Sequence, residues 1–397
     1  MQKIIIIGGG IAGLTAAENA RGKDPDAEIL IISEEDYVPY SRMKLSKYIY
    51  APINEKNLYI HNKKWYEDKN IELLLSTSVT KINVKQNSIT LKSGKELNYT
   101  NLILANGSSS FVPPFTGANK NGVFTVRKIK DLLSIQDYID KNSAKNLVVI
   151  GGGLLGIEAA WALRQANNEF NITIIENMPR LLPRQLDEEG SVIVADILRK
   201  NNMNLQIGSS VKEIAGQDKV EYVSLDNGDK IDADLIIVSA GVRSNLTLAK
   251  ECGINTNRGI LVDENMKTNL DNIYAAGDVA EFNGMVWGIW PVATEQGKIA
   301  GLNSVGENTA YKEITPSNLL QVTDIKVFSA GDITGVDCKP IKYQNSIYTK
   351  LFFKQGLLCG CILIGDTKKG LALKNAIEQK RDFSKSLENN DNILNVL

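Results

Sequence analysis

Apolar residues form short runs, and the first leads directly into a glycine-rich turn. The run 4–7 is entirely isoleucine, the turn 8–13 reads G-G-G-I-A-G, and the stretch 14–20 is rich in alanine. A short, fully apolar run is typical of a buried parallel strand. An alanine-rich stretch without proline favours a helix. The pattern therefore predicts a strand, a tight turn and a helix at the start of the chain.

The first turn has the spacing G-x-G-x-x-G of a dinucleotide-binding loop. Gly8 allows the tight turn, Gly10 lets the backbone approach a pyrophosphate, and Gly13 lets the helix pack closely on the strand. The free N–H groups at the start of that helix would face the phosphates. A second apolar run, 28–32, is followed by Glu34, which lies 21 residues past Gly13, where a carboxylate can accept hydrogen bonds from ribose hydroxyls.

The same pattern recurs in the middle of the chain. The apolar run 147–150 precedes G-G-G-L-L-G at 151–156, an alanine-rich stretch, and a strand that ends at Glu176. Duplication of the whole unit predicts two dinucleotides in one polypeptide. The candidate backbone contacts in the second loop and at the later strand ends of both halves are Gly151, Gly153, Gly156, Ala105, Gly107 and Gly241.

The remaining segments alternate apolar and polar residues. Segments 204–207, 211–214 and 220–225 predict a small antiparallel meander, and 71–91 predicts a similar one in the first half. Beyond residue 305, the pattern predicts strands within 317–331 and 343–365, one helix from 368 to about 386, and a disordered polar tail.

Composition excludes several classes of function. A net charge of -1 and a pI near 6.1 give no basic field for nucleic acid. No apolar run reaches 18 residues and the chain has no signal-peptide pattern, so we expect a cytoplasmic protein with no membrane partner. One histidine and four scattered cysteines predict no metal site and no disulfide scaffold. Cys359 and Cys361 alternate in an apolar strand, which favours two small buried residues over a metal or redox pair.

Several ordered segments carry a resemblance to a known family. They are the first glycine loop, P-Y-S-R-M-K-L-S-K at 39–47, Arg127, the second loop with Glu158, R-L-L-P-R-Q-L-D at 180–187, G-V-R-S-N at 241–245, I-Y-A-A-G-D at 273–278 and W-P-V-A-T-E-Q at 290–296. With them the sequence resembles the pyridine-nucleotide-disulfide-reductase-like flavoproteins, and among these the NADH:rubredoxin reductases and the flavin portion of assimilatory nitrite reductases.

The resemblance implies a fold of the α/β class. Two Rossmann-like, glutathione-reductase-like domains would bind FAD and NAD, and an α+β interface domain would follow. The implied domains are an FAD-binding domain at 1–114 and 242–305, an inserted NADH-binding domain at 115–241, and the C-terminal domain at 306–397. The FAD contacts that the resemblance implies are Gly8, Gly10, Ala12, Gly13, Glu34, Arg42, Lys47, Val79, Arg127, Gly277, Asp278, Val292 and Ala293. Among them, Asp278 would bind the ribityl chain, and the helix that begins near Val292 would face the pyrimidine edge of the flavin.

The resemblance also implies a catalytic pair and a nucleotide preference. Lys47 and Glu158 would form an ion pair beside the flavin N5. Glu176 would bind the adenosine ribose of NADH and repel the 2'-phosphate of NADPH. Arg180 and Arg184 leave the opposite preference open, because either could meet that phosphate instead of serving as a cap or surface charge.

The segment 40–47 has no cysteine, although many relatives relay electrons through a thiol there. Electrons would then leave the flavin for a one-electron carrier, and a rubredoxin or similar small acidic protein is the leading candidate. It would dock near Arg42, Lys44 and Lys47 and against the C-terminal domain. The alternatives are an NADH oxidase, the flavin subunit of a nitrite-reducing system, and an NADH-sensing flavoprotein.

Overall fold

A computed structural model describes residues 1–323, 325–336, 338–343, 346–389 and 391–397. Its α-helices are α1 (Ile11–Lys23), α2 (Glu55–Leu58), α3 (Lys63–Asp68), α4 (Ile129–Asn142), α5 (Leu154–Ala166), α6 (Glu188–Lys200), α7 (Thr247–Glu251), α8 (Trp290–Ser304), α9 (Gly370–Glu378) and α10 (Ser384–Glu388). Two 3-10 helices span Arg42–Tyr48 and Ile393–Asn395.

The strands are short. They are β1 (Lys3–Ile7), β2 (Glu28–Ile32), β3 (Ile71–Leu74), β4 (Val79–Asn83), β5 (Ser88–Leu91), β6 (Glu96–Asn98), β7 (Asn101–Leu104), β8 (Ser108–Ser110), β9 (Val123–Phe124), β10 (Asn146–Ile150), β11 (Asn171–Glu176), β12 (Met203–Ile207), β13 (Val211–Ala215), β14 (Tyr222–Leu225), β15 (Lys230–Asp232), β16 (Leu235–Val238), β17 (Val242–Ser244), β18 (Ile260–Leu261), β19 (Ile273–Ala275), β20 (Ala280–Glu281), β21 (Ser317–Val322), β22 (Ile325–Gly331), β23 (Lys339–Tyr343), β24 (Tyr348–Lys354) and β25 (Leu357–Gly365).

The chain divides into two compact units, each built from three segments. Unit 1 holds residues 1–44, 53–109 and 242–314, and unit 2 holds residues 45–52, 110–241 and 315–397. The four-segment division expected from the sequence stays a prediction of domain boundaries.

Unit 1 is organised around a parallel sheet with the strand order β19-β7-β1-β2-β3. Each neighbouring pair in it is parallel. β1 lies at the centre, and its residues Ile4–Ile7 are buried on both faces of the sheet. Burial on both faces explains why this strand is a continuous apolar run rather than an alternating one.

Unit 2 contains a second sheet of the same design, with the order β9-β16-β10-β11-β12. Its neighbours are also parallel, and β10 takes the central place that β1 takes in unit 1. In each unit the central strand is followed by a glycine loop and a helix, which is α1 after β1 and α5 after β10. The duplication that the sequence predicts is therefore confirmed at the level of sheet topology.

In unit 1, helices α1 and α8 cross through small residues. A β-carbon on Gly297 would lie 2.3 Å from the carbonyl oxygen of Ala12, and one on Gly301 would lie 2.2 Å from that of Ala16. Because neither position has room for a side chain, the two helices pack at backbone contact distance. This contact holds the first turn of α1 against the helix that begins with W-P-V-A.

The predicted meanders are wrong in their first strands. β3 and β12 were expected to pair in antiparallel fashion with the segments after them, but each forms the parallel edge of its main sheet, next to β2 and β11. The meanders are instead β4-β5-β6 and β13-β14-β15. Helices α3 and α6 precede β3 and β12 and supply the crossover that a parallel pairing requires.

The C-terminal part of unit 2 is an antiparallel sheet with the order β21-β22-β25-β24-β23. The single helix expected over 368–386 is wrong, because the structure has two helices, α9 and α10. Lys380 between them adopts a left-handed backbone with φ of 49°, which ends the first helix, and Phe383 is buried in the sheet's core.

The expected disorder of the polar tail is also wrong for residues 391–397. Ile393 and Leu394 are buried in the same core as Phe383, and the Arg381 guanidinium donates a hydrogen bond to the carbonyl of Val396 at 2.7 Å. Two apolar side chains are enough to fix a short tail when a core lies within reach. Asn390 lies outside the described residues.

Asp187 joins α6 to the C-terminal sheet within unit 2. One carboxylate oxygen accepts the Gly190 N–H at 3.0 Å and so caps α6. The other accepts Tyr348 Oη at 2.7 Å and Lys350 Nζ at 2.6 Å, both from β24. Burial raises the pKa of Asp187, but the hydrogen bonds from Lys350, Tyr348 and Gly190 together lower it below its ordinary value.

No helix in the described ranges is long and apolar enough to cross a membrane.

We predict that Asp187 is required to hold α6 in contact with β24. Asp187→Asn keeps a capping oxygen but loses the charge, so the free energy of local opening should fall by about 1.5–3 kcal/mol. Asp187→Ala loses the cap as well and should cost about 1 kcal/mol more. Amide hydrogen exchange in α6 and β24 measures both.

The pH dependence has a definite sign. Because the folded pKa of Asp187 is lowered, its contribution is complete above the unfolded value of about 3.9 and is lost as the pH falls through the folded pKa. Asp187→Asn should remove this acid sensitivity. Equal protection in wild type and Asp187→Ala would contradict the role given to this carboxylate.

Candidate functional site

The first glycine loop is closed by contacts that exclude side chains. Gly8 has φ of +124°, and a β-carbon there would lie 2.1 Å from the carbonyl oxygen of Ala105 at the end of β7. A β-carbon on Gly13 would lie 2.1 Å from the carbonyl oxygen of Gly8. Gly10, which caps α1, has open space on its Cα side with no protein atom within 4 Å.

The second loop repeats this geometry. A β-carbon on Gly151, whose φ is +119°, would lie 2.3 Å from the carbonyl oxygen of Ser239, and one on Gly156 would lie 1.9 Å from that of Gly151. Gly153 again has no protein atom within 4 Å of the β-carbon position. In both loops two glycines serve packing, and the glycine between them leaves the open backbone that a pyrophosphate requires. The residues present therefore fit one dinucleotide in each unit.

The acidic ends of β2 and β11 are offset by one residue. A β-carbon on Gly9 would lie 2.9 Å from the Ser33 hydroxyl, and one on Gly152 would lie 3.0 Å from the Cβ of Glu176. Ser33, not Glu34, is therefore the structural counterpart of Glu176. Glu34, the carboxylate expected on the FAD ribose, lies one residue further along and is exposed.

Glu176 is buried and holds the second loop in place. One carboxylate oxygen accepts the Gly152 N–H at 2.7 Å, and the other accepts the Met178 N–H at 2.7 Å. Each oxygen keeps a further lone pair. The side chain can therefore fix the loop and still accept a ribose hydroxyl.

In unit 1, Asp278 follows β19 through a glycine turn. Gly277 has φ of +81° and donates its N–H to the buried Gln296 of α8 at 2.9 Å. The Ser108 hydroxyl donates to the Asp278 carboxylate at 2.9 Å, and Ser244 Oγ donates to the Asp278 carbonyl at 2.7 Å. This network fixes the carboxylate that the resemblance places on the ribityl chain.

The start of α8 lies close to this network in sequence and packing. Pro291 occupies the first turn, where its missing N–H costs nothing. Val292 and Ala293 are buried beside it, and the Gly277 β-carbon position lies 3.6 Å from Ala293 Cβ. Gln296, which follows in the same motif, is the residue that links the helix to the Asp278 turn.

Arg42 is held by a partly buried acidic partner in unit 1. Its guanidinium donates to Glu35 Oε1 at 2.5 Å and to Tyr40 Oη at 3.1 Å, and Tyr40 Oη in turn donates to Glu35 Oε2 at 2.7 Å. Burial lowers the pKa of Arg42, but the Tyr40 and Glu35 oxygens raise it above its ordinary value. The positive charge is thereby fixed in position and compensated by a carboxylate.

Glu158 and the segment 45–52 meet in unit 2. The Ser46 hydroxyl donates to Glu158 Oε2 at 2.8 Å. Burial raises the pKa of Glu158 above its ordinary value, although the Ser46 hydrogen bond and the Lys47 charge lower it. Lys47 and Glu158, both of which the structure describes, make no direct ion-pair contact. Lys47 acts on the carboxylate through its charge, and Ser46 is the residue in contact with it.

The candidate residues are divided between the two units. Those in unit 1 are Gly8, Gly10, Ala12, Gly13, Glu34, Arg42, Val79, Ala105, Gly107, Gly277, Asp278, Val292 and Ala293. Those in unit 2 are Lys47, Arg127, Gly151, Gly153, Gly156, Glu158, Glu176 and Gly241.

Some of these residues support the backbone of their loops. Val79 begins β4, and Gly107 and Gly241 have positive φ in turns after β7 and β16. The Arg127 N–H donates to Asp131 Oδ2 at 2.8 Å ahead of α4.

Sequence reasoning missed four polar residues that hold the expected ones in place. Gln296 was readable from its position in the W-P-V-A-T-E-Q motif. Ser46, Ser108 and Glu35 gave no separate signal, because their partners lie far away in the chain or, for Glu35, because the neighbouring Glu34 had the more suggestive spacing.

Comparison with known families identifies the class of protein. A model of the pyridine nucleotide-disulphide oxidoreductase family matches residues 2–297, and a model of the rubredoxin NAD+ reductase C-terminal domain matches residues 316–381. The first match spans well over half of the chain. The chain therefore belongs to the pyridine nucleotide-disulphide oxidoreductase family.

Individual relatives narrow the comparison. NADH-rubredoxin oxidoreductase of Clostridium acetobutylicum is 36% identical over 399 residues, which cover 100% of this chain and 99% of that protein. Its crystal structure matches with a TM-score of 0.82 at 33% identity, over 98% of this chain and 99% of that one. Nitrite reductase [NAD(P)H] of Bacillus subtilis is 34% identical over 395 residues, or 97% of this chain, but this chain spans about half of that protein, 48%.

A third relative differs in the chemistry that its name gives. The structure of a NAD-dependent persulfide reductase from A. fulgidus matches with a TM-score of 0.89 at 28% identity, over 97% of this chain and 78% of that one. Together these matches confirm the predicted family, the fold class and an oxidoreductase activity, with FAD and NADH as the cofactors of the family.

We predict that alanine affects folding differently at the open glycine, Gly153, and at the closely packed glycine, Gly156. Gly153 has φ of -81°, which alanine adopts readily, so Gly153→Ala should fold normally. Its methyl group would occupy the open space and should weaken NADH binding by at least about tenfold, within the cost of about 1–3 kcal/mol for overpacking.

Gly156→Ala is the matched comparison. Its β-carbon would meet the Gly151 carbonyl oxygen at 1.9 Å, so this variant should lose stability as well as NADH affinity. Thermal unfolding and NADH titration separate the two effects. Unchanged NADH affinity in a folded Gly153→Ala protein would contradict the placement of the pyrophosphate.

We also predict that Ser46 sets the protonation of Glu158. Ser46→Ala removes a hydrogen bond that lowers the pKa of Glu158, so that pKa should rise. The acid limb of the pH profile for NADH oxidation should move to higher pH, whereas Ser46→Thr should restore it. An unmoved limb in Ser46→Ala would show that Glu158 does not control this limb.

Proposed function

We propose that this protein oxidises NADH with a bound FAD and passes the electrons one at a time to rubredoxin. The observation that carries the proposal is the match of both parts of the chain to a single relative. The alignment with NADH-rubredoxin oxidoreductase covers 100% of this chain and 99% of that protein, and the C-terminal match at 316–381 is to a domain named for rubredoxin reductase.

When bound, FAD supplies the chemistry of accepting a hydride and releasing single electrons. The protein's own residues would bind FAD and NADH and orient them. The loop at Gly10 would hold the FAD pyrophosphate, Asp278 the ribityl chain, and the loop at Gly153 the NADH pyrophosphate. Lys47 and Glu158 are proposed as the catalytic pair, and the support for this is that burial raises the pKa of Glu158 while the Ser46 hydroxyl and the Lys47 charge oppose that shift.

The cysteine pattern supports a carrier that takes single electrons. Segment 40–47 has no cysteine, so the relay thiol of many family members is missing at the position where the resemblance expects it. The cysteines lie at 252, 338, 359 and 361. The name of the A. fulgidus relative gives a persulfide as its substrate. For a disulfide or persulfide substrate, this protein would have no cysteine sulfur in segment 40–47 to react with it.

A second candidate is the flavin part of a nitrite-reducing system. The Bacillus subtilis nitrite reductase matches 97% of this chain at 34% identity. This chain spans 48% of that protein, so the candidate role is the flavin part of such a system and not the reduction of nitrite itself. The acceptor assay below distinguishes the two candidates.

The proposed docking surface for an acidic carrier is the start of the 3-10 helix Arg42–Tyr48, in unit 1. Met43 and Lys44 are exposed there, and Lys44 Nζ donates to the backbone carbonyl of Asn57 at 3.0 Å. Arg42 contributes little field because Glu35 compensates its charge. An exposed lysine beside an apolar methionine suits a small acidic protein, for which local charge steers encounter more than it adds affinity.

We predict a preference for NADH that depends on Glu176. Arg180 donates to the carbonyls of Leu186 and Pro183, so its guanidinium is engaged by its own loop. Glu176→Ala removes the carboxylate that would bond the ribose, and a charge-assisted bond is worth about 1.5–3 kcal/mol. The ratio of kcat/KM for NADH over NADPH should therefore fall roughly ten- to hundredfold.

Glu176→Ala also frees two loop N–H groups, so kcat/KM for both nucleotides should decrease while their ratio narrows. Glu169→Ala, an exposed change in the same half, is the control and should leave the ratio unchanged. Equal kcat/KM for NADH and NADPH in the unmutated protein would refute the assignment.

We predict that rubredoxin reduction is strongly salt dependent. The Debye length falls from about 10 Å at 0.1 M salt to about 3 Å at 1 M, so kcat/KM for rubredoxin should fall across that range, and that for a small uncharged quinone should change little. Lys44→Glu should lower kcat/KM for rubredoxin on the order of tenfold at low salt. Lys92→Glu makes the same charge change on the β4-β5-β6 side of unit 1 and should have little effect.

The same assay tests the function itself when the acceptor is varied. Rubredoxin should be reduced far faster than oxygen, ferredoxin or nitrite. Rapid nitrite reduction in the presence of an iron-containing partner, with none of rubredoxin, would favour the second candidate. Equal effects of Lys44→Glu and Lys92→Glu would place docking elsewhere.

A further inference from the structure

Two cysteines that the sequence leaves unconnected meet in the C-terminal sheet. Cys338 lies immediately before β23, and Cys359 lies on β25, 21 residues later. Their Sγ atoms are 3.0 Å apart. Cys361, two residues from Cys359 on the same strand, instead lies in the buried core of the sheet with Phe328 and Leu373.

The backbone around Cys359 is shaped to admit a second segment. A β-carbon on Gly331 would lie 2.2 Å from the Cys359 carbonyl oxygen, and one on Gly360 would lie 1.9 Å from that of Asp332. The Asp332 N–H donates to the Cys359 carbonyl at 2.8 Å. Because neither glycine carries a side chain, the chain leaving β22 lies in backbone contact with Cys359.

Local turns then bring Cys338 back to the same place. The Asp332 carboxylate accepts the Thr334 N–H at 2.9 Å and its hydroxyl at 2.7 Å, and the Cys338 N–H donates to the Gly335 carbonyl at 3.3 Å. Cys359 Sγ also donates to the Phe352 carbonyl at 3.2 Å, which fixes its rotamer. The backbone of Cys338 and the sulfur of Cys359 are thus each held by a backbone carbonyl, and neither cysteine is fully buried.

We propose that Cys338 and Cys359 form a reversible dithiol–disulfide pair within the C-terminal domain, oxidised by hydrogen peroxide. Bonding requires the two sulfurs to move about 1 Å closer, since an S–S bond is about 2.05 Å long. Nothing in the proposed NADH-to-rubredoxin route uses these thiols, so the pair is a modification site separate from that electron path.

The two steps balance in atoms and electrons. The Cys338 thiol loses its proton to solvent and attacks one peroxide oxygen, which breaks the O–O bond and leaves a sulfenic acid and one water. Cys359 Sγ then attacks Cys338 Sγ, the S–O bond breaks, and the leaving hydroxide takes the Cys359 proton to form a second water. Two thiols lose two electrons and two protons, and one peroxide becomes two waters.

The order of the steps follows from the surroundings of the two thiols. Burial and the neighbouring Cys338 sulfur raise the pKa of Cys359 to about 12, so Cys359 stays protonated and is the resolving thiol. Cys359 therefore loses its proton only as it attacks, to the hydroxide that leaves Cys338 Sγ, and the 3.0 Å separation places the two sulfurs for that step. The disulfide would tie the start of the edge strand β23 to the interior strand β25.

The test counts thiols in the FAD-loaded protein after limited peroxide treatment and denaturation. The reduced protein has four cysteine thiols, and the oxidised one should have two, Cys252 and Cys361. Peptide mapping without reduction should give one intramolecular link between Cys338 and Cys359, and dithiothreitol should restore all four thiols. NADH-to-rubredoxin turnover should be the same in both forms.

Single replacements provide matched controls. Cys338→Ser and Cys359→Ser should each abolish the link, whereas Cys361→Ser and Cys252→Ser should keep it. Cys361 is the sharper control because it lies on the same strand, two residues from Cys359. Four thiols remaining after peroxide, a link that includes Cys361, a link between two chains, or irreversible oxidation without a link would each overturn the proposal.

Discussion

A β-carbon at Gly13 would lie 2.1 Å from the carbonyl oxygen of Gly8, and one at Gly156 would lie 1.9 Å from that of Gly151. This exclusion of side chains is the constraint on which both halves of the molecule depend. It lets a helix start directly above the end of the central strand, so that the N–H groups of its first turn point to one place. Sheet order, the open backbone at the middle glycine, and the carboxylates at the next strand end are all arranged around that start.

Several charged groups that are buried or partly buried are held by the backbone or by one another. Glu176 accepts two backbone N–H groups, Arg42 is matched by Glu35, and Asp187 receives donors from both α6 and β24. Buried carboxylates are stable only with such partners. Glu158 is the exception of interest, because burial raises its pKa while its donor, Ser46, only partly offsets that effect. A carboxylate whose pKa is raised by burial fits the proposed role in catalysis.

The sequence predicts the parallel sheets and the glycine loops because these depend on local rules. Apolar runs identify strands buried on both faces, and G-x-G-x-x-G identifies the turn. It misplaces β3 and β12 because a short alternating strand looks the same at the edge of a parallel sheet as in a meander. The tail is misjudged because two residues, Ile393 and Leu394, outweigh the polar composition around them once a core is within reach.

Side-chain partners far apart in the chain are the other part that the sequence does not reveal. Ser46 and Glu158 are 112 residues apart, and Cys338 and Cys359 meet through turns whose residues look ordinary when read in order. The predicted Lys47–Glu158 ion pair is not a direct contact, and the neighbouring Ser46 hydroxyl donates to Glu158 instead. Resemblance to a family gives the position of a residue along the chain. Which side chains touch depends on how the folded chain packs in three dimensions.

The most direct test of the account is an anaerobic titration of the FAD-loaded protein with NADH, followed by oxidised rubredoxin. Without a thiol relay beside the flavin, about one NADH per chain should bleach the flavin completely, as expected for a two-electron centre. Adding rubredoxin should then restore the flavin colour with two rubredoxin molecules reduced per chain, one electron each. Consumption of a second NADH equivalent before the flavin is bleached, or a reduced flavin that rubredoxin leaves unchanged, would contradict the account.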